Sequence, residues 1–199
     1  MFIFYDLEST GLNPYHDKIT EVCFIKQIPM EYNDETFTTL VNPEKPIPKI
    51  VTKITGIEES MVKYKLNFNE VSGQIVHFIN YNLEENDTAY FIAHNNDGYD
   101  KIMFNCHLQK AGIDMKQFKW VFLDTLPFAK KLYPHFKKYN LKSLCEELDV
   151  EVLNAHRAEA DTKMLKDLFY KMLMDLEEVI DKKYDELINN PQLIYDYYH

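Results

Sequence analysis

Apolar and polar positions recur with two different periods along this chain, and the change of period marks out its elements. Runs rich in aromatic and β-branched residues near 2 to 7, 19 to 28 and 35 to 41 read as strands. A short helix near 48 to 53 follows, and Gly56 stands where a glycine commonly closes a helix. Asn67 and Glu70 have the spacing of a capping box and open a helix through about residue 81. A strand near 88 to 94, a helix starting around Asp100 with the apolar face Ile102, Met103, Phe104, Cys106 and Leu108, and a strand near 118 to 123 come next. Helices near 126 to 133, 140 to 149 and 158 to 188 complete the pattern, the last long enough to be broken in two. Strands followed by alternating helix and strand predict an α/β layered domain, and 199 residues suit one such domain with a sizeable core.

Polar residues that interrupt this pattern carry the candidate chemistry. The first strand ends in Asp6-Leu7-Glu8, and side chains two apart on a strand point the same way. Two like charges so placed repel unless a cation neutralises them, and oxygen ligands favour magnesium or manganese over soft metals. The same pair also fits a solvated strand end. Asp100 lies after a later strand, at a position where Asp is equally at home as a helix starter. His156 precedes the helical start Ala158-Glu159-Ala160-Asp161. Five residues on one helix would separate the two side chains by about 140°, so His156 and Asp161 reach one site only if the histidine lies on the preceding loop. A histidine there has an ordinary pKa of about 6.5 and can take a proton near neutral pH, although a loop histidine is also a common surface residue.

The order of these segments, an acid pair on a first strand, an acid after a later strand, then His and acid at a final helix, resembles the three motifs of the DEDDh 3′ to 5′ exonucleases. Asp6-Leu7-Glu8-Ser9-Thr10-Gly11-Leu12, Ile54-Thr55-Gly56, Ala93-His94-Asn95 through Tyr99-Asp100, and His156 through Asp161 are most similar to the three-prime repair exonuclease (TREX) family, with the likeness running from residue 2 to about 165. The resemblance implies an α/β ribonuclease H-like exonuclease fold, a central mixed β-sheet flanked by α-helices, and release of nucleotides from DNA 3′ ends. It further implies two divalent cations, Mg2+ with Mn2+ able to substitute, held by Asp6, Glu8, Asp100 and Asp161, and His156 as the base for the attacking water. Ser9, Thr10, Leu12, Ile54 and Tyr99 would seat the terminal nucleotide on the same grounds, a role that plain packing would explain nearly as well. Two positions depart from the family: Asn96 stands where relatives have Gly, expected to keep a left-handed turn, and Gly98 replaces an Arg that could grip phosphate. Relatives are commonly dimers, so a homodimer is admitted.

Composition narrows the setting. Hydrophobic residues make up 46% and charged residues 27%, an ordinary globular balance. No run is long and apolar enough to span a bilayer, and the first residues lack the basic start of a signal peptide, so a soluble intracellular protein is expected. Cys23, Cys106 and Cys145 have no metal-type spacing and are expected as reduced core thiols. The net charge of −10 speaks against a general basic coat for nucleic acid. Lys130, Lys131, His135, Lys137, Lys138 and Lys142, interleaved with Tyr133, Phe136 and Tyr139, are the local exception; they fit a single-strand track or an ordinary solvated face. Three rival readings stay open: an exoribonuclease of the same superfamily, a catalytically silent nucleic-acid-binding module, and a subunit docked on a polymerase through Asp175 to Asp185 or Pro191 to Tyr195, a tail that also fits a helix packed on its own domain.

Overall fold

A computed structural model describes residues 1–27, 34–84, 87–153 and 157–199. Strand β1 (Phe2–Ser9) lies at the centre of a five-stranded sheet because its first four residues are apolar, six of its eight residues are buried and both of its faces are covered. On one side it pairs antiparallel with β2 (Ile19–Gln27), which pairs antiparallel with β3 (Asp34–Leu40); on the other it pairs parallel with β4 (Ala89–Ala93), followed by β5 (Trp120–Asp124). The order β3-β2-β1-β4-β5 is a mixed sheet, as expected from the resemblance.

Strand periodicity divides the core in two. Phe2 and Phe4, with Cys23, Ile25, Ile92 and Leu123, face the long helix α7 (Ala158–Ile180), where Phe2 meets Phe169 edge to face at 5.5 Å. Ile3, Tyr5 and Leu7, with Val22, Phe24 and Phe91, face α3 (Phe68–Asn80) and α4 (Asp100–Lys110). Each fully buried aromatic of this kind contributes about 1.5 to 3 kcal/mol of apolar burial. Even-numbered β1 side chains therefore point at α7, and this parity carries Asp6 and Glu8 to the α7 side.

Local signals end the helices where the sequence placed them. After α1 (Lys49–Thr55), Gly56 takes φ 70° and its N–H returns to Thr52 O. Asn67 Oδ1 accepts from Glu70 N and Glu70 Oε2 from Asn67 N, closing the expected capping box. A short α2 (Glu59–Val62) between them escapes the sequence reading, as four residues give no period. Further on, α5 (Thr125–Leu132) starts at Asp124 and α6 (Leu141–Glu147) at Asn140, each by a side-chain cap. The expected long C-terminal helix is indeed broken: α7 stops at Asp181, which adopts φ 51°, and α8 (Tyr184–Asn189) follows. Pro191 then opens α9 (Gln192–Tyr198), which the sequence did not separate.

The tail packs on its own domain: Leu187 and Ile194 are fully buried in the α7 core, and Tyr198 lies against Phe128. Cys23 and Cys145 are buried free thiols, whereas Cys106 is only half-buried, on the outer part of α4. Among the described residues no helix is long and apolar enough to cross a membrane.

Candidate active site

Asp6 and Glu8 meet Asp161, on the first turns of α7, so that one carboxylate oxygen from each lies within 4.8 Å of the others. Burial, then the charges of Asp100, Glu8 and Asp161, push the Asp6 carboxyl well above the usual carboxylate range. Burial, then Asp161 and Glu21, raise Glu8 to about 7, while Arg157 works in the opposite sense. Such proton affinity reports a shortage of positive charge among anionic oxygens held at ligand spacing. This donor set of hard oxygens fits a divalent cation of the magnesium type.

Asp100 comes from the opposite face of the sheet. It opens α4, is 4% exposed, and its proton affinity is raised chiefly by burial, against hydrogen bonds from the backbone of Leu7 and of Asp100 itself. Of the charges acting on Asp6, that of Asp100 is the largest, which places the two together. Both line an open cavity of about 370 Å³ whose wall also includes Leu7, Leu12, His94, Asn95 and Tyr99.

The segment from His94 to Asp100 is shaped by partners far away in sequence. Asp124 Oδ1 accepts from Asn95 N and from Leu126 N, both at 2.9 Å, and Oδ2 from Asp97 N at 3.0 Å. One carboxylate thus caps α5 and fixes the loop. Asn95, not Asn96, takes the left-handed backbone, at φ 63°. The expectation for Asn96 is corrected: it is fully buried, accepts from the Tyr5 hydroxyl and donates to Leu123 O at 2.8 Å and to Phe91 O at 3.4 Å, so its amide rather than its turn tolerance is what the fold uses. Gly98 has its own reason, because a Cβ there would lie 2.5 Å from Asn95 Oδ1. Burial keeps the His94 ring below its ordinary pKa. Nε2–H donates to Tyr139 O at 2.6 Å, leaving Nδ1 to accept from the Thr125 hydroxyl at 2.9 Å.

Two acids that sequence reasoning missed organise the site. Asp124 has a legible local signal, an acid directly before Thr-Leu-Pro at a helix start. Glu21 has a subtler one, a charge inside an otherwise apolar strand, which is stable there only with a partner. It sits opposite Glu8 in the β1–β2 register, binds Arg157 Nη2 at 2.6 Å and Nε at 3.1 Å, and accepts from Ala158 N at 3.1 Å. Glu21 thereby ties the start of α7 to the strand beside Glu8, three residues before Asp161.

The remaining expected residues are spread around the cavity. Tyr99 lines it, with its hydroxyl 2.5 Å from Ser9 Oγ and 3.3 Å from Gly11 O. Leu12 lines it too and is 83% exposed. Thr10 is buried, and its hydroxyl donates to Asp17 and accepts from Lys18 N, bracing the loop after β1. Ile54 is exposed on α1 and is not part of the cavity wall. His156 lies outside the described residues, as do its neighbours Asn154 and Ala155.

Known proteins share this framework. DNA polymerase III PolC-type from Caldanaerobacter subterraneus subsp. tengcongensis is 35% identical over 186 residues, which is 94% of this chain and 12% of that protein. The 3′-5′ exonuclease DinG of Bacillus subtilis is 30% identical over 179 residues, 89% of this chain and 18% of its own length. The chain therefore spans under a fifth of these relatives. Escherichia coli exonuclease I in complex with a dA16 oligonucleotide superimposes with a TM-score of 0.74 at 19% identity, covering 95% of this chain and 43% of that one. Exonuclease X in complex with 5′ overhanging duplex DNA superimposes at 0.65 and 22%, covering 95% and 98%; at such identities the likeness is one of fold. The exonuclease family model, RNase_T, matches residues 3–169, and on that match the chain belongs to the exonuclease family.

Proposed function

We propose that this chain releases nucleotides from DNA 3′ ends, single-stranded or mismatched, by metal-assisted phosphodiester hydrolysis. The observation that carries the reading is the convergence of Asp6, Glu8 and Asp161, with Asp100 beside Asp6, at the rim of a cavity open enough for a nucleotide. Asp6, Glu8 and Asp161 would hold one divalent cation, and Asp6 with Asp100 a second. Mg2+ or Mn2+ bound there would supply charge to the phosphoryl group and the departing 3′ oxygen. His156 would take the proton from the attacking water. Tyr99, braced by Ser9, and the exposed Leu12 would orient the terminal nucleotide, with Thr10 holding the Leu12 loop in place; Ile54, outside the cavity wall on α1, would meet only a substrate that extends beyond it. DNA is preferred over RNA because the relatives are a DNA polymerase and DinG, and the neighbours named above carry DNA. The finer likeness to three-prime repair exonucleases rests on the sequence motifs alone, and the proposed reaction does not depend on it.

The test is nucleotide release from 3′-labelled single-stranded DNA, mismatched duplex and RNA of equal length, with Mg2+ or EDTA. Metal-dependent release from DNA is expected, with His156→Ala lowering turnover by about 10² to 10⁴ while oligonucleotide binding persists. Release in EDTA at the same rate refutes the carboxylate site. Faster cutting of RNA transfers the reading to the exoribonuclease alternative.

A further inference from the structure

Residues 125–142 contain five lysines, one histidine and no acid, in a chain of net charge −10. The aromatics within this segment turn inward: Tyr133 is 7% exposed and stacks on Phe136 at 4.9 Å, and the Tyr139 hydroxyl donates to Tyr133 O. Its lysines turn outward. Lys142 approaches Glu146 at 3.9 Å and Lys131 lies over the Tyr197 ring, but Lys130, Lys137 and Lys138 make no ion pair among the described residues. The segment is also fastened to the cavity wall. Tyr139 O receives the His94 N–H, Thr125 bonds the same ring, and the charge of Lys130 is felt at His94.

Resting on the exonuclease reading above, we infer that Lys130, Lys137 and Lys138 form the phosphate track along which the substrate strand leaves the cavity, 5′ of the scissile bond. The occupant is argued from charge complementarity: unpaired cations beside an acidic site on an acidic protein match a polyanion whose end must enter that site. With Tyr133, Phe136 and Tyr139 packed against the core, recognition by the segment runs through phosphate and is indifferent to base.

The test compares wild type with Lys130→Gln/Lys137→Gln/Lys138→Gln on a dinucleotide and on 30-residue oligo(dT) and oligo(dA), from 50 to 200 mM salt. All three lysines are exposed, so the fold is kept. Dinucleotide turnover is expected unchanged, which separates this inference from the exonuclease reading, since loss of that reading would show as a wild type inert on every substrate. For both long oligonucleotides KM should rise about tenfold, and the slope of log affinity against log salt should shrink by about 2, as three single-strand phosphate contacts require. An unchanged KM and slope overturns the track, as does a loss confined to one base composition. Sedimentation of both proteins reports the competing occupant, an acidic face of a second copy: mass lost on substitution with KM unchanged also overturns it.

Discussion

Asp161 reaches the site on a 23-residue helix and Asp6 and Glu8 on a central strand, whereas Asp100 is delivered by the six-residue loop 94–99, whose local backbone bonds to Asn95 O and Asn96 O are joined by many bonds to distant groups. The three carboxylates on regular elements are placed by period: strand parity turns Asp6 and Glu8 toward α7, and helix packing brings Asp161 to meet them. The loop is placed by distant polar groups, with Asp124 gripping Asn95 and Asp97, Asn96 tied to Tyr5 and Leu123, and His94 to Thr125 and Tyr139. One half of the site is therefore set mainly by packing, with Glu21 pinning the start of α7 through Arg157 and Ala158. The other half depends on hydrogen bonds whose loss would displace Asp100 without touching it.

The sharpest break in this contrast is Asp6→Asn. It keeps the shape of the side chain, removes a proposed cation ligand and relieves repulsion from Asp100, Glu8 and Asp161. Activity should fall by about 10³-fold, corresponding to several kcal/mol of lost charge stabilisation, while the melting temperature of the metal-free protein holds or rises. Manganese titration calorimetry and thermal melts check both halves. A variant that melts earlier and binds Mn2+ as before would mean that Asp6 is structural.

Asp124→Ala comes next and attacks the loop. Two loop amides and the α5 cap lose their acceptor, a cost of about 2 to 4 kcal/mol. The displaced Asp100 should lower kcat by about 10²-fold, with Mn2+ affinity at the Asp6, Glu8 and Asp161 cluster retained. Equal loss of Mn2+ affinity in Asp124→Ala and Asp6→Asn would erase the distinction between the two halves.

The same distinction explains what could be read without coordinates. The sheet, the capping box at Asn67 and Glu70, the Gly56 stop and the break in the last helix follow from local period and local caps, so they were legible. The acid pair on β1 was legible for the same reason. What stayed hidden depends on pairings across long stretches of sequence: Glu21 with Arg157 is separated by 136 positions, Tyr5 with Asn96 by 91 and Asn95 with Asp124 by 29. Asn96 was misjudged because a turn residue's backbone tolerance is a local property, whereas the three partners of its amide are not. The aromatics at 133, 136 and 139 fit a single-strand track or an ordinary solvated face equally from sequence, because three rings among lysines give no period to say which way they face.

A pH series separates the charge crowding from the rest of the molecule. Glu8 is held at about 7 in the folded protein against an ordinary 4.5, so the folded state binds its proton more tightly than the unfolded chain does. The resulting stabilisation is fully present below about 4.5 and is lost as pH rises through about 7. His107 acts in the opposite sense, since burial holds it down at about 4 and its contribution is lost as pH falls below the ordinary histidine value. Comparing wild type with Glu8→Gln cancels that background. In EDTA the melting temperature of wild type relative to Glu8→Gln should drop between pH 5 and 8, and Mg2+ should reverse the drop. A difference that grows with pH in EDTA would contradict the crowding.

The gentlest probe lies at the far end of the chain. Asp124 N donates to the Tyr198 hydroxyl at 3.0 Å, so α9 holds the backbone of the residue whose side chain holds the loop 94–99. Tyr198→Phe leaves the ring against Phe128 and removes only the acceptor, stranding one half-buried N–H at a cost of about 1 kcal/mol. If the loop half of the site is set through Asp124, kcat should fall by a factor of about 2 to 5, in proportion to that loosening, with Mn2+ affinity unmoved. Tyr198→Phe combined with Asp124→Ala should then cost no more than Asp124→Ala alone in kcat, because both act on one bracket. Full additivity in this double-mutant cycle would place the influence of Tyr198 elsewhere than on the loop.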